Sequence, residues 1–86
     1  MSNAEKINNK ILYQVPVPND ITPNELSSWL KRNNWIQKPG KGSHLRIEKT
    51  FRDGFTWSYT VKFGGEKQIK PVYISDIRNM VEEHDL

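Results

Sequence analysis

The stretch HLRIEKTFRDGFTWSYTVKF, positions 44–63, decides how this chain folds. Its first half alternates, so Leu45, Ile47, Lys49 and Phe51 share one face while His44, Arg46, Glu48 and Thr50 share the other. After Asp53-Gly54 the pattern resumes, with Phe55, Trp57, Tyr59, Val61 and Phe63 set against Thr56, Ser58, Thr60 and Lys62. Two such runs around a turn signal form a hairpin, and its register follows because opposed residues must point to the same face of the sheet. A two-residue turn at Asp53-Gly54 would set Ile47 opposite Thr60, apolar face against polar. A three-residue loop, Arg52-Asp53-Gly54, instead pairs Phe51 with Phe55, Lys49 with Trp57, Ile47 with Tyr59 and Leu45 with Val61, and puts Gly54 at the left-handed position such a loop requires. On the outer face this register sets His44 opposite Lys62 and Arg46 opposite Thr60.

Working outward, Trp35 and Ile36 begin a short strand that breaks at the flexible turn Pro39-Gly40-Lys41-Gly42. Before it lies a well-signalled helix. Thr22 is the N-cap, Pro23 the first helical residue and Glu25 the third, which completes a capping box, while Ile21 can staple onto Leu26. Leu26, Trp29 and Leu30 form its buried stripe, and Asn33-Asn34 ends it because asparagine tolerates left-handed backbone. After the hairpin, Gly64-Gly65 closes the strand and Pro71 opens a last helix with Ile74, Ile77 and Val81 inward. Its final turn carries Glu82, Glu83 and Asp85, anions that oppose the helix dipole, so that end is expected to fray. A short helix over residues 5–13 precedes the proline-containing connector at Pro16 and Pro18. The expected fold is α+β, a three-stranded antiparallel sheet with helices packed on one face and the other face open. Residues 1–20 form a leading helix and connector, and 21–86 the main domain.

Composition narrows the function. Eighty-six residues, 35% of them apolar, support one core but no second domain with a deep cleft, so chemistry must occur on a surface. The absence of cysteine removes disulfide frameworks and thiol nucleophiles, and two histidines 40 positions apart do not make a metal site. No run is apolar enough to span a bilayer, and Met1-Ser2-Asn3-Ala4 lacks the character of a secretion signal, so the cytoplasm is the expected compartment. The net charge of +3 is unevenly placed. From Lys31 to Arg52 seven cations meet a single acid, Glu48, a local +6, whereas Asp76, Glu82, Glu83 and Asp85 face only Arg78 near the C-terminus. A basic block beside an acidic end suggests a polyanion partner for one face.

The residues that could do chemistry lie on the open face. Histidine, with a reference pKa of about 6.5, can move a proton at neutral pH. Cleaving a phosphodiester of such a polyanion needs a base for the attacking hydroxyl, cations for the charge gathering on phosphorus, and an acid for the departing oxygen. His44 suits the first role, and Lys41, Arg46 and Lys62 suit the second. Trp29, Trp35 and Trp57 sit on apolar stripes and are read as core instead of base-stacking platforms. Gly40-Lys41-Gly42 lacks the length and ending of a phosphate loop and is read as a turn. Ser43 is a local hydrogen-bonding residue, and His84 an ordinary surface residue.

The segments Trp29-Leu30-Lys31-Arg32-Asn33-Asn34-Trp35, Gly40-Lys41-Gly42-Ser43-His44 and Ile69-Lys70-Pro71, leading into Tyr73-Ile74-Ser75-Asp76-Ile77, resemble the HicA family of mRNA interferase toxins over about residues 22 to 83. The resemblance implies a double-stranded-RNA-binding-domain-like fold and metal-independent cleavage of mRNA without a cofactor. It also implies neutralisation by a HicB-type antitoxin covering the active face, with the free toxin monomeric. The family's catalytic histidine maps onto His44 and the glycine before its serine onto Gly42. Where the family carries glycine before the first strand's aromatic, this chain has Asn34. The other reading of the same face is a non-catalytic RNA-binding or protein-interaction domain that kept the fold without the chemistry.

Overall fold

The computed structural model describes residues 3–42, 44–63 and 67–84. Three helices and three strands follow in the order α1 (Asn3–Leu12), α2 (Pro23–Arg32), β1 (Ile36–Pro39), β2 (His44–Thr50), β3 (Thr56–Lys62) and α3 (Pro71–His84). The strands form one antiparallel sheet in the order β1-β2-β3. All three helices lend buried residues to a single core that also takes Ile47, Phe51 and Val61 from the inner side of the hairpin, so the fold is α+β with one sheet face open.

The hairpin register is the expected one: His44 lies opposite Lys62, Arg46 opposite Thr60, Ile47 opposite Tyr59 and Lys49 opposite Trp57. At the tip the Phe51 amide donates to the Phe55 carbonyl at 2.9 Å, and Gly54 takes φ +89°, a conformation that disfavours any residue with a Cβ. The α2 capping box forms as read, with the Glu25 amide donating to Thr22 Oγ1 at 3.1 Å and the Thr22 amide to Glu25 Oε1 at 2.9 Å. Asn34 leaves the helix at φ 64°, the left-handed exit that glycine more often supplies. Trp29 and Trp35 are buried at 2% and 6% exposure and Trp57 packs against the same core, which places all three away from the open face. Gly64 and Gly65 lie outside the described residues.

Two inward cations that periodicity left unexplained cap helices. Lys49, on the apolar side of β2, donates from Nζ to the Asn33 carbonyl at 2.8 Å, where the negative end of the α2 dipole favours an ammonium. Arg78, 9% exposed on α3, donates from Nε to the Ile11 carbonyl at 2.9 Å and from Nη2 to the Lys10 carbonyl at 3.0 Å. The orphan carbonyls at the end of α1 thus bind the chain's last helix, and Ile11 enters the common core. Arg78→Met, which keeps the aliphatic stem but removes both donors, should cost about 2–3 kcal/mol. Urea unfolding followed by far-UV circular dichroism would show the lowered midpoint.

His84 corrects the reading that made it surface decoration. Its ring stacks on Phe55 with centroids 4.4 Å apart and planes 10° apart, and its Nδ1 lies 2.7 Å from Asp53 Oδ2. That bond, together with the Phe55 amide, holds the Asp53 carboxyl below its ordinary value. The helix end expected to fray is therefore pinned to the hairpin tip as far as His84, while Asp85 falls outside the described residues.

Tyr59 points inward and donates its hydroxyl to Asp76 Oδ2 on α3. Burial, followed by the bond to the Asp76 carboxylate, raises the phenol well above its usual value of about 10. An unfolded chain gives up this proton near pH 10 and the folded one does not, so stability should fall as pH rises from 10. Tyr59→Phe removes that component: denaturation at pH 8 and pH 11 should show a larger alkaline loss for the parent protein than for the variant.

Candidate functional site

The open face of the sheet is a grid whose rows follow from the strand pairings. Gly40, His44 and Lys62 make the first row, with the Gly40 amide donating to the His44 carbonyl at 2.8 Å. Lys38, Arg46 and Thr60 make the second, Ile36, Glu48 and Ser58 the third, and Thr50 and Thr56 the last. Directly opposed side chains stand about 5 Å apart at Cβ, and successive rows are separated by about 7 Å. His44 therefore has Lys62 as its cross-strand neighbour and Arg46 two residues along its own strand. All three are exposed.

The turn before β2 sets the position of His44. Gly42 adopts φ +61°, and the His44 amide donates back to the Lys41 carbonyl at 3.3 Å, which turns Lys41 over the same end of the sheet. Gly40 is a positioning residue that motif reading missed. A Cβ placed on it would stand 3.1 Å from both the Cβ and the carbonyl oxygen of His44, so only glycine lets β1 approach the histidine this closely. The signal was in the sequence, since two glycines flank Lys41, but only Gly42 carried the motif. Ser43 lies outside the described residues.

Electrostatically the grid is divided. Among the described residues no carboxylate lies within ion-pair reach of Lys41, Arg46 or Lys62, so the first two rows present cations beside an imidazole. Glu48, in the third row, accepts from Ser58 Oγ at 3.4 Å and holds Lys38 Nζ at 3.7 Å. The other histidine cannot join this site. His84 sits beyond the hairpin tip, and the six residue steps from His44 to Thr50 alone span roughly 20 Å. A paired-imidazole arrangement is thereby excluded.

A groove of about 750 Å³ between α1 and α2 contains Lys6, Lys10 and Arg32, but Lys10 is paired with Asp20 at 2.8 Å and Glu25 is committed to the capping box. Among the described residues there is no group of three metal-ligating side chains, and no helix is long and apolar enough to cross a membrane. No protein-family model, curated protein or solved structure matches the chain.

Proposed function

We propose that this chain is a metal-independent endoribonuclease that cleaves mRNA, the toxin of a toxin–antitoxin pair acting in the cytoplasm as a monomer when free. The observation that supports it is the placement of His44 on an open sheet face, opposite Lys62 and beside Arg46, with no carboxylate among the described residues to occupy either cation. The resemblance to HicA toxins, with its double-stranded-RNA-binding-domain-like fold, points the same way and supplies the expected partner, a HicB-type antitoxin seated on the same face.

The reaction follows from the groups present. His44 takes the proton from a ribose 2′-hydroxyl, the resulting oxyanion attacks the adjacent phosphorus, and the bond from phosphorus to the 5′-oxygen breaks. The products are a 2′,3′-cyclic phosphate and a 5′-hydroxyl, with the departing oxygen reprotonated from solvent or a neighbouring ammonium. Lys62 and Arg46 offset the charge that accumulates on the non-bridging oxygens, and Lys41 adds to the field at the mouth of the turn.

Expression in a bacterial host tests the reading. The parent chain should arrest growth and fragment cellular RNA, and His44→Ala should do neither. Harmless expression with RNA bound but intact would favour the non-catalytic domain. A second expectation concerns the turn. Gly40→Ala forces a shift of a few tenths of an ångström at His44, and misplacement of this order should lower cleavage about tenfold. The thermal midpoint should change little, and cleavage at the parent rate would remove Gly40 from the positioning role.

A further inference from the structure

Two features of the grid go unused by the catalytic reading. The first is chemical: among the described residues the open face carries no aromatic ring other than the imidazole of His44, because Trp57 and Tyr59 point to the opposite side. Sheets that read single-stranded RNA by sequence stack its bases on surface aromatics. This sheet instead offers cations and small hydroxyls. The second is the order of the rows. Among the described residues, cations without a carboxylate partner stand in the first two, the only carboxylate of the face is Glu48 in the third, and the fourth is closed by a 2.9 Å hydroxyl pair between Thr50 and Thr56.

We propose that this face binds RNA through its phosphates over the first two rows only, a track of about two or three nucleotides running from Lys62 past His44 to Arg46, and that Glu48 ends the track. Its carboxylate repels the next phosphate and keeps Lys38 neutralised. Lys38 is therefore a phosphate contact held in reserve. This inference rests on the ribonuclease reading of the face and adds to it a substrate property, indifference to base identity, and a boundary residue.

The test is RNA binding by the full chain carrying His44→Ala, so that the ligand survives, with oligo-U and oligo-A of twelve nucleotides as probes over a salt series. The two should bind within about threefold of each other. Binding should fall with a logarithmic salt slope of about −2, the value for three neutralised phosphates on a single strand. Adding Glu48→Gln should steepen the slope by about 0.7 and tighten binding several-fold, as Lys38 joins the track. Adding Lys38→Gln to that variant should return both to the starting values. A preference above about thirtyfold for one base overturns the phosphate track. A Glu48→Gln slope that does not change, or a gain that Lys38→Gln does not reverse, overturns the boundary role. If none of the variants binds either probe at low salt, the ribonuclease reading itself fails, a result distinct from the other two.

Discussion

Purified His44→Ala should cleave RNA at least a hundredfold more slowly than the parent chain, with its unfolding midpoint unchanged. A positioned general base contributes about 10²–10⁴ in rate, and among the described residues the first two rows hold no second imidazole or carboxylate, the Glu48 carboxylate standing in the third. Stability should be unaffected because the side chain is exposed and makes no hydrogen bond or ion pair among the described residues, while the backbone bonds of His44 to Gly40 and Lys41 do not depend on its identity. Gel analysis of a 5′-labelled transcript reads the loss directly: the parent should leave fragments ending in a 2′,3′-cyclic phosphate, and the variant should leave the transcript intact over the same time. Cleavage by the variant at the parent rate would remove His44 from the chemistry.

The parts of this fold that could be read in advance are those governed by neighbours in sequence. Alternation and the loop length at Arg52-Asp53-Gly54 specified the register, because a slip of one residue would have turned Ile47 and Val61 outward, and the structure buries both completely. The capping box at Thr22 and the left-handed exit at Asn34 are equally local, each set within four residues. The polar contacts that join distant elements were not legible. Arg78 reaches carbonyls 67 and 68 residues away, and His84 meets Asp53 across 31 positions. Both depend on the angle at which α3 crosses the sheet, which its apolar spacing does not encode. A single arginine on a buried stripe signals that something must satisfy it, but not what.

The open face shows the same division. Its membership followed from parity alone, so His44, Arg46, Thr60 and Lys62 could be placed together before the structure was known. Its polarity could not be. Glu48 shares the face by parity and stands opposite Ser58 by the hairpin register, yet that it couples to Lys38 depends on β1 pairing with β2 through Lys38 and Arg46, a register fixed by the Gly40-Lys41-Gly42 turn. Gly40 belongs to this second class, since its close approach to His44 arises between strands.

Lys62→Met should lower the rate of cleavage about a hundredfold while changing RNA affinity only a few-fold. Lys62 is the one cation directly opposite His44, so a phosphate placed for attack near that imidazole comes within reach of the ammonium. Charge grows on the non-bridging oxygens as the 2′-oxygen closes on phosphorus, and a fixed cation there stabilises the transition state more than the bound substrate. Removal of one such group costs about 10²–10³ in kcat in comparable oxyanion sites. Arg46 lies one row further from the imidazole and should behave differently, with Arg46→Gln raising KM more than it lowers kcat. Steady-state kinetics on a short fluorogenic RNA separates the two roles. If Lys62→Met acted only through KM, the ammonium would be a binding contact and the charge stabilisation would have to come from Arg46 or Lys41. Methionine keeps most of the aliphatic stem on an exposed strand position, so a change in fold would not account for a loss confined to kcat.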